Sequence, residues 1–211
     1  MAEHGEVFTN PREVNAMLDL VRDESFRLDS RFLEPACGDG NFLIEILRRK
    51  LSLLQSVNSS VKGVRSTSVA FSQTEWEFQS LIAVGSCYGI ELLEDNAEAC
   101  RERLFAEVMG RIAKKGCTGG YEESLHYLLK KNIVCGDALT YRTAECKPIT
   151  FSEWTPIAGS MQFSRRDFQF DFLVNQTHQY SLFDEQGEAQ NFDEPIKSYP
   201  PIHYTQLYTQ E

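Results

Sequence analysis

Basic charge is what this sequence lacks most: 21 Lys and Arg stand against 31 Asp and Glu in 211 residues, a net charge of −10. A free-standing nucleic-acid binder needs a basic footprint, so that class is disfavoured; a subunit that borrows the footprint is not. Long apolar runs are missing too. No stretch reaches the roughly 18 residues of a membrane span. The first thirty residues carry acids throughout and have no apolar core, so no signal peptide is expected either. Histidine is scarce at four, and the six cysteines (Cys37, Cys87, Cys100, Cys117, Cys135, Cys146) form no CxxC pair. That spacing points to ordinary cytosolic thiols rather than a zinc site or a disulfide scaffold, and to a cytoplasmic location. What is present, 42% apolar and 25% charged residues without an internal repeat, suits a globular domain with a core.

Helical and strand periods alternate along the first three quarters of the chain. Asn10-Pro11 pairs a capping residue with proline at the first helical position, and Val14, Met17, Leu18 and Val21 follow at helical spacing. Phe32-Leu33 reads as a short strand running into a glycine turn, Glu34 to Asn41, before an apolar-faced helix from Phe42 to Leu54. Residues 55–73 are rich in Ser, Val and Asn and read as a loop or insertion. Thr74 is placed to cap a short helix from Glu75 to Ala83. A strand over Cys87–Glu91, helices over Asn96–Lys114 and Glu122–Lys131, and a strand over Asn132–Cys135 ending in Gly136-Asp137 come next. Pro148–Phe151 is a candidate fourth strand. Such alternation predicts a parallel, doubly wound α/β sheet. Past residue 155 the rhythm fades, so the expected division is a domain over 1–155 and an extension over 156–211. Within that extension Tyr199-Pro200-Pro201 reads as an extended tail, whose aromatics could pack on the domain or on a partner. Arg48-Arg49-Lys50, Lys114-Lys115 and Lys130-Lys131 fall where helices are expected to end and suit the helix dipole. Arg165-Arg166 has no such explanation and is a candidate phosphate or partner contact.

The glycine turn is the sharpest chemical signal. Gly38 and Gly40 allow close backbone approach to a ligand, between a strand and a helix, where open α/β sheets place nucleotides. GxGxxG would need glycine at position 43, where Leu43 stands, and no Gly-Lys-Ser/Thr follows, so a ligand without phosphates is preferred. Glu34 and Asp39 flank the turn and suit an ammonium group. Glu91 and Asp137, at later strand ends, suit a ribose diol and an adenine amino group. Each acid alone is as well read as a solvated strand-end carboxylate. Together, in chain order, they fit S-adenosyl-L-methionine.

Phe32-Leu33-Glu34-Pro35-Ala36-Cys37-Gly38-Asp39-Gly40-Asn41-Phe42 resembles motif I of the N6-adenine DNA methyltransferases of bacterial restriction-modification systems. Gly5 to Asn10, including Phe8 and Thr9, resembles the motif that precedes it. Tyr88-Gly89-Ile90-Glu91-Leu92 and Asn132 to Leu139 resemble motifs II and III, so the resemblance covers about residues 4 to 154. It implies a Rossmann-like methyltransferase fold in three αβα layers, open to being incomplete at its C-terminal strands. It also implies S-adenosyl-L-methionine as cofactor, held by Phe8, Thr9, Glu34, Pro35, Ala36, Cys37, Gly38, Asp39, Gly40 and Asn41 at the methionine end, with Glu91 at the ribose and Asp137 and Ala138 at the adenine. DNA is the implied substrate, met through a partner subunit or target-recognition chain, in a homo- or hetero-oligomer.

Three departures stand beside the resemblance. Glu34 and Glu91 lie 57 positions apart, a surplus that the polar insertion absorbs. The Asn/Asp/Ser-Pro-Pro-aromatic tetrapeptide that grips the target amine is absent. Its positional equivalent is Phe151-Ser152-Glu153-Trp154, which makes Ser152 and Trp154 the candidate catalytic residues, and Phe172 to His178 is a rival without prolines. Only 57 residues follow Trp154, too few for sequence-specific base readout by this polypeptide alone. Two functions are therefore expected to compete: methylation of adenine N6 in DNA, and a cofactor-binding subunit that is inactive or depends on a partner. Methyl transfer to RNA or a small molecule is a third.

Overall fold

The structure is a computed structural model and describes residues 9–55, 71–112, 116–171 and 195–210. Helix α1 (Pro11–Asp19) starts as expected, with the Asn10 carboxamide oxygen accepting the Arg12 N–H at 2.9 Å. Val14 and Leu18 are buried. Met17 and Val21, expected on the same face, are exposed; Val21 lies past the helix end at Asp19, where the chain turns into the single-turn helix α2 (Arg22–Ser25).

Three short strands, β1 (Phe32–Glu34), β2 (Cys87–Glu91) and β3 (Ile133–Cys135), form a parallel sheet in the order β1-β2-β3. Leu33 stands opposite Tyr88, and Ile90 opposite Val134. Helices α3 (Asn41–Gln55), α4 (Gln73–Gly85), α5 (Glu94–Met109) and α6 (Tyr121–Asn132) supply the packing. Every residue of β2 is buried because its two faces are covered differently. Cys87 joins the helix core of Leu43, Leu47, Leu81, Leu104 and Leu125, whereas Tyr88 and Ile90 meet Ile149, Phe151 and Phe170. Each fully buried leucine contributes about 1.5–3 kcal/mol over an exposed one, so the helix layer rather than three-residue strand pairing carries the sheet. The α4 cap is Ser72, not Thr74: Ser72 and Glu75 form a reciprocal capping box, which starts the helix two residues early.

The fourth strand departs from expectation. β4 (Thr150–Pro156) does not extend the parallel sheet but pairs antiparallel with β5 (Gln162–Gln169), from Thr150↔Gln169 to Pro156↔Phe163. The sheet thus runs across residues 155 and 156, where a boundary was expected. β6 (Lys197–Ser198) and β7 (Ile202–His203) also pair with β5. Pro200 and Pro201 lie between them, so this stretch is a strand connection and not a free tail. The closing 3-10 helix (Tyr204–Thr209) buries Tyr204 and Leu207, while Tyr208 is exposed; Phe183 and Phe192 lie outside the described residues. Among the described residues no helix is long and apolar enough to cross a membrane, and no cluster of His, Cys, Asp and Glu could hold a metal.

Arg49 and Lys50 do not sit at a helix end, because α3 continues to Gln55. Arg49 binds Asn15, Ser25 and Asp19. Lys50 is fully buried, donating to the Ser30 and Leu28 carbonyls and the Ser86 hydroxyl. Burial pushes its pKa below the ordinary 10.5, with Cys87 and Asp29 opposing. The unfolded chain therefore binds the Lys50 proton more tightly, and this residue's contribution to stability rises with pH from its folded pKa towards 10.5. Urea denaturation of the wild type and Lys50→Met across that window is expected to show the difference moving in favour of the wild type as pH rises. A pH-independent difference would remove Lys50 from the account.

Candidate cofactor site

The glycine turn leaves the C-terminal end of β1 and is fixed at both ends by backbone bonds. The Cys37 N–H donates to the Ile90 carbonyl at 2.9 Å, tying the turn to β2, and the Ile44 N–H donates to the Gly40 carbonyl, opening α3. Gly38 and Gly40 adopt φ of 54° and 92°, the left-handed region that glycine enters at least cost. Space matters as much at Gly40, where a Cβ would stand 2.6 Å from the Cys100 sulfur.

Three carboxylates converge on the turn. Glu91, at the end of β2, accepts the Gly38 N–H through Oε2 at 2.8 Å and the Leu93 N–H through Oε1 at 3.1 Å. Asp39 is gripped from α5 by Arg103, whose Nη1 reaches Asp39 Oδ2 at 2.6 Å and the Asp39 carbonyl at 2.7 Å. Arg103 Nη2 continues to Asn41 Oδ1. Asp39 Oδ1 is buried and accepts no hydrogen bond from the described residues. Partial burial raises the Glu34 pKa, against a bond from the Ala36 N–H. The Cys37 thiol is pushed far up by its bond to Cys100 and by burial, which makes it a packing group rather than a nucleophile.

These groups line a cavity of about 280 Å³ together with Thr9, Ala36, Phe42 and Asn96. Of the residues expected here, Thr9, Glu34, Ala36, Cys37, Gly38, Asp39, Asn41 and Glu91 come together. Gly40 is buried behind the turn, Pro35 is exposed on it, and Phe8 lies outside the described residues. Asp137 and Ala138 do not line the cavity. The Asp137 carboxylate accepts the Leu139 N–H at 2.8 Å, which holds its pKa below the usual range, and Ala138 packs against the apolar group of Ile90, Ile149 and Phe170. Phe42, Asn96 and Arg103 were not expected. Arg103 could not be found by pattern, because its contact spans more than sixty positions of chain.

Ser152 and Trp154 face elsewhere as well. The Ser152 hydroxyl is buried between Asp167 and Arg165, and the Trp154 indole N–H points to Asn132 Oδ1 at 3.3 Å. The rival segment from Phe172 to His178 lies outside the described residues.

A cleft at the carboxyl end of a parallel sheet, with an acid at each of two adjacent strand tips, is where open α/β folds hold nucleoside ligands. Residues 11–171 match the family model described as MmeI, DNA-methyltransferase domain. No curated protein and no solved structure matches the chain. The family match begins at α1 and runs through the glycine turn, all three parallel strands and the β4–β5 hairpin. The chain belongs to the MmeI DNA-methyltransferase domain family, and with it to the methyltransferases of restriction-modification systems.

Proposed function

We propose that the cleft after β1 holds S-adenosyl-L-methionine and that the chain serves methyl transfer to adenine N6 in DNA, on a Rossmann-like fold. The residues fit the ligand. Glu34, Asp39 and Glu91 surround a cavity suited to a cation, and the buried, unpartnered Asp39 Oδ1 is the observation that carries the reading, because it can accept from an ammonium group. Glu91 takes the ribose hydroxyls while keeping the turn's N–H groups in place. Arg103 keeps the Asp39 carboxylate oriented, and Gly38 lets the backbone lie against the ligand. When bound, the cofactor supplies an electrophilic methyl group on a sulfonium. DNA enters with a partner chain that supplies base recognition.

A second reading keeps the cofactor but not the chemistry. Ser152 and Trp154 are committed to buried partners, and no proline-anchored amine grip occurs in the sequence. On this reading the chain is a cofactor-binding subunit whose transfer waits on another polypeptide. Titration calorimetry with S-adenosyl-L-methionine tests the shared claim: saturable binding is expected, and no heat at millimolar ligand ends both readings. Radiolabelled methyl transfer to mixed-sequence duplex DNA by the isolated chain decides between them.

A further inference from the structure

A second cavity, of about 360 Å³, lies between the two sheets and belongs to no step above. Its walls are Leu33 and Tyr88 from one sheet and Phe151 and Phe168 from the other, and Arg31 and Arg166 stand over it. Both guanidinium groups pair with one carboxylate, Glu153, which is 8% exposed. Two cations on one anion leave a net positive charge in a chain of net charge −10. Among the described residues Arg31 commits only Nη2 to Glu153, and Arg166 commits Nε and Nη2. Arg31 Nε and Nη1 and Arg166 Nη1 are uncommitted there and can meet a further anion without displacing Glu153. Arg166 also lies over the Phe168 ring at 5.5 Å.

We propose that this inter-sheet cavity binds a nucleotide unit, its flat base between the aromatic side chains and its phosphate on Arg31 and Arg166. Guanidinium groups match phosphate geometry, and aromatic walls accept any base by its π face. The volume lies in the range of small-ligand pockets. Taking the ligand as a piece of the nucleic-acid substrate rests on the function proposed above. Strand β1 carries both sites: Arg31 precedes it and Glu34 ends it, about 10 Å along an extended chain. One nucleic-acid strand can span that distance.

The test is calorimetry on the full chain with AMP, adenosine and benzoate as probes. AMP is expected to bind, with adenosine and benzoate each weaker by about tenfold or more, the loss of a charge-assisted contact or of the base. Arg31→Gln, which leaves Glu153 its bond to Arg166, should weaken AMP by a similar factor. Leu33→Trp should fill the cavity and abolish AMP binding, with thermal melts confirming that both variants are folded. AMP binding should persist in Glu91→Ala; its loss there would place AMP in the cofactor cleft and overturn the assignment. Equal binding of benzoate, indifference to both cavity variants, or no AMP binding at millimolar ligand would each overturn it too. Titration of the wild type with S-adenosyl-L-methionine is scored separately, so either site can fail alone.

Discussion

Arg165→Ala is expected to destabilise the protein by about 3–5 kcal/mol, enough to consume a large part of the stability of a domain this size. Arg165 is 2% exposed and sits at the centre of the β4–β5 sheet. Its Nε and Nη2 form a bidentate pair with Asp167 at 2.8 and 2.7 Å, and Nη1 donates to the Gln210 carbonyl at 2.8 Å and the Tyr127 hydroxyl at 2.6 Å. The guanidinium also lies 4.1 Å from the centre of the Tyr199 ring. Truncation leaves the Asp167 carboxylate buried with only the Ser152 and Tyr199 hydroxyls, and it removes one of the two donors to the Gln210 carbonyl after the closing 3-10 helix, leaving the Tyr127 hydroxyl. Removing one partner of a buried pair is costly because the other charge stays in place, whereas replacing both is often tolerated. Arg165→Met combined with Asp167→Leu should therefore recover most of the loss. Urea denaturation of the wild type, Arg165→Met, Asp167→Leu and the double variant closes the cycle. A coupling near zero would show that Arg165 and Asp167 contribute independently of one another, against this account.

That cluster also explains why the second half of the fold was not legible. Phe151-Ser152-Glu153-Trp154 reads as the segment that follows a short fourth strand, and Arg165-Arg166-Asp167 as polar chain without strand rhythm, yet they are facing strands. Ser152, Glu153, Arg165 and Asp167 are buried because they are paired across the sheet, Ser152 with Asp167 and Glu153 with the exposed Arg166. Hydrophobic periodicity cannot register burial achieved by charge pairing. The first half behaved differently. Leu43, Leu47 and Leu51 on α3, and Cys100, Leu104 and Val108 on α5, are apolar at helical spacing and are fully buried. The glycine turn was legible because its positive φ values and the close approach of Cys100 leave little room for a side chain. Asp137 shows the limit of reading a site by chain order. It stands at the expected strand tip, but the chain reverses at once and Arg142 bridges back to it, so the carboxylate serves its own turn.

Glu91 carries the other large expected effect, this time on binding. Replacing it by alanine removes two charge-assisted bonds to the ribose in the proposed complex, each worth about 1.5–3 kcal/mol, so affinity for S-adenosyl-L-methionine should fall by about a hundredfold or more. Glutamine is the sharper variant. Both Glu91 oxygens already face N–H donors, Gly38 on one side and Leu93 on the other. An amide satisfies one donor and, in either flip, turns its own N–H₂ group against the second. Glu91→Gln is therefore expected to lose nearly as much affinity as Glu91→Ala despite matching glutamate in shape. Arg103→Gln, which loosens Asp39 without touching β2, should cost less. Calorimetry on the three variants ranks them, and a Glu91→Gln protein that binds within about threefold of the wild type would show that shape alone suffices at this strand tip, because two lost charged contacts cannot be that small.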